Sequence, residues 1–579
     1  MTSSSDVTKM SFRKKLLSLF TLSPLGYLNT TQILGTMNDN IFKLLIVFYF
    51  ISIEGQAESN NILSSVGALY VIPFLLLSSI AGTMADRYSK RSIIVGAKIA
   101  ECAMMALGLT SFYFGSKILA YSSLFLLACH STIFAPCKFG IVPEIVPREQ
   151  ISKANGLISS CTYIAIIIGT FLASFLVDIT NRNFLIASCF SLAFAFLGLF
   201  AALKIPRTAP AGSERKVSPK FLSELFRNIG LIYKEPSLLS AVLGSAFFLF
   251  IGSYIQLNMI PFALDALKLS DVDGGYLFLL CALGIGIGSI LAGKLSGKRV
   301  ELGLVPFGGF GIAICAILMS QFSFSFTVEV ILIITLGLFG GLYLIPLDSY
   351  IQLASPNTIR GQVIATTNFL GFVGVLCSAG MLYFLGQVMG LKPAHGFLVI
   401  GILTLLFVSG ISLAISGYIV RYVSMLLTRF YYRGVIHGYN EIPTAIPSFY
   451  HSSLTDNPWI CFLTSIQPKR LCVFSIRPIT TSSLKDRLIE RLLSRYSVQS
   501  LDELAPNTPM GNFLLKSLKR GSSIAILGLD EMPLEYKEAW QKAFGSSLCF
   551  FTLTEKKLSF PENYPLAISL HYEAELVLS

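Results

Sequence analysis

At 579 residues, with 53% hydrophobic and only 13% charged residues, the chain falls outside the ordinary soluble class, where about 25% of residues are charged. A larger core cannot hide that deficit, because soluble chains of this length divide into domains and expose more surface; most of the chain must face lipid. The net charge of +12 does not point to nucleic acid, because lysines and arginines gather in alternate loops, the distribution that orients membrane proteins.

The first segment, Met1 to Tyr27, carries Arg13, Lys14 and Lys15 before a short apolar stretch broken by Pro24. Phe12, Leu16 and Phe20 recur every four residues, which predicts a surface helix on the cytoplasmic leaflet rather than a cleaved signal. A helix needs about 20 apolar residues to cross the hydrocarbon core. Twelve such spans are predicted, over 27–52, 61–83, 93–115, 117–140, 155–178, 183–203, 238–264, 273–293, 302–322, 327–350, 361–389 and 396–424. A long basic linker, 204–237, divides them six and six. Eleven cysteines are scattered without a C-x-x-C pair, most of them in apolar runs (Cys102, Cys161, Cys281, Cys377). They read as small buried hydrophobes, and neither a disulfide frame, a metal nor a cofactor is expected.

Arg87, Lys90 and Arg91 follow span two, Arg148 and Lys153 precede span five, and Lys294, Lys298 and Arg299 follow span eight. The opposite loops hold at most one basic residue each, such as Lys117, Arg182, Lys268 and Lys392. Both termini and the linker are therefore expected in the cytoplasm. The two halves also repeat: the run Gly82 to Arg91 is echoed at Gly293 to Arg299, and Phe134-Ala-Pro-Cys-Lys138 at Leu344-Ile-Pro-Leu-Asp348. The fold class expected is an all-α membrane protein of two pseudo-symmetric six-helix bundles, residues 1–203 and 238–425, the architecture of alternating-access carriers.

Span one places Gln32, Asn38, Asp39, Asn40 and Lys43 in an apolar helix. A charge at a helix centre is unfavourable by roughly 2.5–3.5 kcal/mol on the insertion scale, so Asp39 and Lys43 must face inward, where four-residue spacing lets them pair. Further polar candidates are Glu101, His130, Gln256, Asn258, Gln352 and Asn368, each read as a helix-packing group. Lys138 and its repeat-mate Asp348 carry opposite charges at equivalent places.

The segment Gly82-x-x-x-Asp86-Arg87-x-x-Lys90-Arg91 resembles the signature loop of the major facilitator superfamily. Gly82 permits close helix approach, Asp86 can cap a neighbouring helix N-terminus, and the basic residues can hold one gate state. In the second half Gly297 stands where the aspartate would be, which weakens the mirrored latch. Gln32-x-x-Gly35-x-x-Asn38-Asp39-Asn40-x-x-Lys43, Phe134 to Glu144 and Lys153-Ala-Asn-Gly-Leu157 resemble the bacterial lysophospholipid transporter family, over residues 25 to about 420. The resemblance implies a flippase of the inner membrane that takes lysophospholipid or another amphipathic small molecule. Asp39, Asn40, Lys43, Lys138 and Glu144 would then belong to its polar path, with Gln32, Asn38 and Asp348 as further members.

After Tyr422 the composition shifts to short β-branched or aromatic runs (Trp459–Leu463, Leu471–Ile476, Ser523–Leu529, Leu548–Leu553, Ala567–Tyr572) alternating with helical stretches. A cytoplasmic α/β domain is expected over 426–579. His451 and Asp456 have the H-x4-D spacing of glycerolipid acyltransferases, in which His serves as general base and Asp orients it. Arg433 to Pro443 resembles the first strand and turn of that family. The phosphate-binding block expected after the strand at Ile524–Ile526 is replaced by Leu527-Gly-Leu-Asp-Glu531, and an acidic pair repels phosphate. The resemblance implies transport coupled to reacylation, with an acyltransferase or acyl-carrier partner. A small-molecule or drug efflux carrier and a membrane-anchored lysophospholipid acyltransferase stay open as alternatives.

Overall fold

The computed structural model describes residues 23–55, 59–215, 221–269, 271–296, 300–321 and 326–414. Beyond these it describes residues 419 and 422–423 and, further on, 434–437, 448–452, 471–475, 495–497, 501–519, 523–527, 533–544, 549–555 and 566–572. The expected surface helix of the first 22 residues, Gly297 and Asp456 lie outside these. By packing, the chain divides into two units, Met1–Ala414 and Ile415–Ser579.

Twelve of the described helices are long and apolar enough to cross a membrane, so the first unit is a multi-pass membrane protein. They are α1 (Pro24–Glu54), α2 (Ser59–Arg87), α3 (Lys90–Tyr113), α4 (Lys117–Gly140), α5 (Ile151–Ile179), α6 (Phe184–Leu203), α7 (Pro236–Asp265), α8 (Asp271–Leu295), α9 (Leu304–Gln321), α10 (Phe326–Ala354), α11 (Arg360–Tyr383) and α12 (Pro393–Ala414). Local chemistry sets several starts. Ser23 accepts from the Gly26 N–H at 3.0 Å ahead of Pro24, Ser116 from Leu119 at 3.4 Å, and Asn183 from Ile186 at 3.1 Å, each satisfying an amide that has no partner within the helix.

The packing repeats with a shift of six helices. In the first half α1 packs on α5 and α6, α2 on α4, and α3 on α4 and α6; in the second α7 packs on α11 and α12, α8 on α10, and α9 on α10 and α12. Between halves, α2 meets α11 and α5 meets α8. Exchanging the halves turns the first of those seams into the second, which is the signature of a pseudo-twofold axis between them. Both seams rely on a missing side chain. A Cβ on Gly82 would fall 2.8 Å from the Gln362 Cα, and one on Gly293 would fall 2.8 Å from the Ser152 carbonyl oxygen. Pro136 and Pro346 interrupt α4 and α10 at matching places, where the missing N–H frees a carbonyl and bends the helix.

The linker between halves is tied down. Arg91 donates to the carbonyls of Leu203 (3.0 Å) and Ile205 (3.3 Å), and the Ser213 N–H reaches the Asp86 carbonyl at 3.4 Å. Arg215 donates to Asn228 at 3.0 Å and also to Gln362 of α11. Asn228 belongs to a linker helix, Phe221–Tyr233, that packs on α2, α7 and α11.

In the second unit seven strands form one sheet in the order β1-β7-β6-β2-β5-β3-β4. They are β1 (Gly434–His437), β2 (Ser448–Ser452), β3 (Leu471–Ser475), β4 (Arg495–Ser497), β5 (Ser523–Leu527), β6 (Cys549–Glu555) and β7 (Leu566–Tyr572). Only β6 and β7 pair antiparallel. Two helices, α13 (Pro509–Lys519) and α14 (Leu534–Phe544), bury Leu514, Leu518 and Trp540 with Ile524 and Ile526 of β5. Strand β1 falls in the segment Arg433 to Pro443 expected to hold a strand and turn, whereas β2 and β4 were not among the expected runs: they are short and carry His, Arg or Ser. Trp459–Leu463 lies outside the described residues.

Candidate functional site

Asp39 occupies the midpoint of α1, the depth at which a charge is least tolerated in oil. It is half-buried, and its Oδ2 accepts from the Ser131 hydroxyl of α4 at 2.9 Å. Lys43 is half-buried one turn on and lies 5.7 Å from the centre of the Tyr70 ring of α2, within reach of the ring's negative face. The expected pairing between them is not formed: among the described residues no ion pair within 4.0 Å joins Asp39 to Lys43. The serine occupies one carboxylate oxygen, the buried Oδ1 has no hydrogen-bond partner among the described residues, and the ammonium lies over the tyrosine ring.

Behind this wall lies a group that the sequence reading only partly found. Lys98 of α3 pairs with Glu101 at 2.5 Å, and both are fully buried. The Asn38 amide donates to the other Glu101 oxygen at 3.0 Å, and His130 Nε2 of α4 approaches the carboxylate to 3.7 Å. Gly35 provides the room, since a Cβ there would collide with the Lys98 ammonium. Lys98 itself was missed, although its i, i+3 relation to Glu101 inside an apolar helix was the available signal. The cluster joins α1, α3 and α4 at a depth where an unpaired member would be costly.

Gln32 serves a different contact. It donates to the Ile158 carbonyl at 2.8 Å and accepts from Thr162 at 3.2 Å, both in α5. Asn40 bonds back to the Thr36 carbonyl of its own helix at 2.8 Å. From the second half, Asp348 accepts from Ser245 of α7 at 3.1 Å. Lys138 and Asp348 are both half-buried, and each lies within range of the other's charge. One charge thus comes from each half.

At the end that carries the basic loops, the halves are locked together. Asp86, fully buried, accepts from the Gly361 N–H at 2.6 Å and the Gln362 N–H at 2.9 Å. These are free amides of the first turn of α11, where the helix dipole favours an anion. Lys90 is buried and pairs with Glu144 at 2.6 Å. Glu144, which the resemblance assigns to the polar path, meets Lys90 at this end, its only ionic partner among the described residues. Arg87 is exposed beside Tyr88, and Arg91 holds the linker. Four contacts here were not singled out from sequence. Asn155 of α5 exchanges amide bonds with Gln352 of α10 at 3.0 and 3.2 Å, and it also donates to Ser349 at 3.0 Å. Arg360, buried, donates to the Gln352 carbonyl at 2.7 Å and to Asn357 at 2.6 Å.

In the second unit His451 lies on β2, in register with Ile526 of β5 and Thr552 of β6. It is one residue from the carboxyl ends of β2 and β5, the edge of a parallel sheet where ligand sites gather.

The family model described as Major Facilitator Superfamily matches residues 28–379. The chain belongs to the major facilitator superfamily. Its twelve-helix unit is thus a major facilitator transporter. Curated relatives of this major facilitator include the lysophospholipid transporter LplT of Yersinia pestis (strain Pestoides F) and that of Yersinia pseudotuberculosis serotype O:3 (strain YPIII). Each is 26% identical over 307 residues, 52% of this chain and 72% of the relative. Among solved structures, the Escherichia coli fucose:proton symporter FucP aligns with a TM-score of 0.56 at 12% identity, over 68% of this chain and 98% of that one. The human organic anion transporter MFSD10 aligns with a TM-score of 0.55 at 16% identity, over 67% of this chain and all of the other. Those two likenesses support the fold alone.

Proposed function

We propose that this major facilitator moves lysophospholipids across the bacterial inner membrane for reacylation, with both termini in the cytoplasm. The observation that carries the reading is the set Asp39, Lys43, Lys138 and Asp348: four half-buried charges, contributed by both halves, midway along or near the gate end of membrane helices. Charges of both signs suit a zwitterionic or anionic head group, and the apolar helix faces beside them suit its chain. The relatives named as lysophospholipid transporters supply the substrate class. In this reading Asp86, Lys90 and Glu144 close the cytoplasmic gate.

The test is uptake of labelled lysophosphatidylethanolamine by proteoliposomes holding the full chain. Asp39→Asn is expected to lower uptake at least tenfold while the protein still inserts and purifies normally; unchanged uptake removes Asp39 from the path. Translocation of a soluble drug with no lysolipid movement would favour an efflux carrier.

We read the second unit as a degenerate acyltransferase-like domain. His451 near the carboxyl edge of a central parallel strand supports the kinship, and the acidic run after β5 opposes phosphate binding. His451→Ala is expected to leave lysolipid uptake at the wild-type rate, and loss of uptake together with acyl transfer by the wild type would favour the enzyme alternative.

A further inference from the structure

The end of the first half opposite the basic loops holds a polar feature that the central path does not use. Between α5 and α6 the backbone turns through two consecutive non-glycine residues in the left-handed region, Asn181 (φ 49°) and Arg182 (φ 60°). Such residues are strained unless their surroundings hold them. Here the Arg182 N–H donates to the Val177 carbonyl at 2.8 Å and the Asn181 N–H to the Asp178 carbonyl at 3.0 Å.

The turn sets Asp178, Asn181 and Arg182 along one wall of an 820 Å³ cavity, and Phe48 and Ile51 of α1 with Phe184 of α6 supply an apolar wall. That volume lies within the roughly 300–1,000 Å³ of small-molecule sites. Among the described residues no carboxylate lies within 4.0 Å of the Arg182 guanidinium. Lys117, a second cation at this end, is paired with Glu54 at 2.6 Å. Cations are scarce on the outward face of membrane proteins, so an arginine held there in a strained turn, beside an exposed aspartate and an aromatic wall, has the character of a built recognition group.

We propose that this cavity is an outer docking site for the phosphate-containing head group of a lysophospholipid before it passes to the central charges. The inference rests on the lysophospholipid reading and on the outward orientation of this end. The Arg182 guanidinium takes the phosphate, whose geometry it matches with two parallel bonds. Asp178 takes the ammonium of an ethanolamine head group, and Phe48, Ile51 and Phe184 cover the glycerol and the first part of the chain.

The experiment compares uptake of lysophosphatidylethanolamine and lysophosphatidylglycerol by the full chain in proteoliposomes. Arg182→Gly suits the left-handed turn while removing the guanidinium. It is expected to raise the half-saturating concentration of both lipids about tenfold with the maximal rate preserved, and Arg182→Lys recovers part of the loss. Asp178→Asn raises it for the ethanolamine lipid alone. Lys117→Gln, which removes the other cation at this end and does not line the cavity, retains wild-type values. If the wild type transports but Arg182→Gly shifts neither lipid, or lowers only the maximal rate, the docking site is refuted and the transport reading stands. A wild type that moves neither lipid sinks both.

Discussion

At the scale of single residues, Asp86 shows how much one carboxylate can hold. It accepts two backbone N–H bonds from the first turn of α11, and charge-assisted bonds of this kind are roughly twice as strong as neutral ones. Asp86→Asn keeps the shape, but its amide can present only one acceptor oxygen to those two donors. The contact that shuts the gate end should weaken enough to raise the open population several-fold. Cys137, fully buried on α4 beside Lys90, reports that opening. Its labelling by a membrane-permeant maleimide, followed by mass spectrometry, should accelerate several-fold in the variant, whereas an unchanged rate would mean that Asp86 does not hold the gate. That Asp39, Lys43 and Lys138 are charges within apolar runs was legible from sequence alone. What each one touches was not, because Ser131 and Tyr70 look like ordinary helix residues until α2 and α4 are brought against α1.

Among elements, the contrast lies between α1 and α3. The first announces itself with five polar residues in one stretch; the second hides Lys98 between an obvious basic loop and a run of alanine and methionine. Three helices meet at Glu101, which receives Lys98, Asn38 and the approach of His130. Removing one partner from a buried pair strands the other, an effect of about 3–5 kcal/mol, whereas removing both is close to neutral. Lys98→Met should therefore destabilise the protein by that amount in detergent unfolding, and adding Glu101→Gln should restore most of it; equal loss in single and double variants would rule out charge pairing as the reason. The helices themselves were readable, with ends displaced by a few residues, because apolar length is a property of the local sequence. The strands β2 and β4 were not, since they are only five and three residues long and carry His, Arg and Ser among their few apolar residues, and the sheet order that pairs β1 with β7, 132 residues further on, is not a property of the local sequence.

For the molecule as a whole, the two halves share a packing pattern but not their charges. Lys138 and Asp348 stand at repeat-equivalent places with opposite signs, so any substrate between them meets an oriented field. Lys138→Asp and Asp348→Lys are each expected to cut lysolipid uptake at least tenfold, and the double exchange to recover part of it through a coupling of about 0.5–3 kcal/mol. A double variant no better than the worse single one would mean that the two charges act separately. The repeat itself was visible in sequence through Gly82 with Gly293 and Pro136 with Pro346, since turns and close approaches admit few residue types.

The linker has a consequence for how the halves can be handled. Because Arg91 grips its start and Arg215 grips both Asn228 and Gln362, the segment behaves as a short strap at the basic-loop end of the two halves rather than a slack tether. Cutting the chain between Lys204 and Arg215 would leave every described membrane helix whole yet unbuckle that end, so two co-expressed halves should reassemble into a carrier that rests open at the basic-loop end.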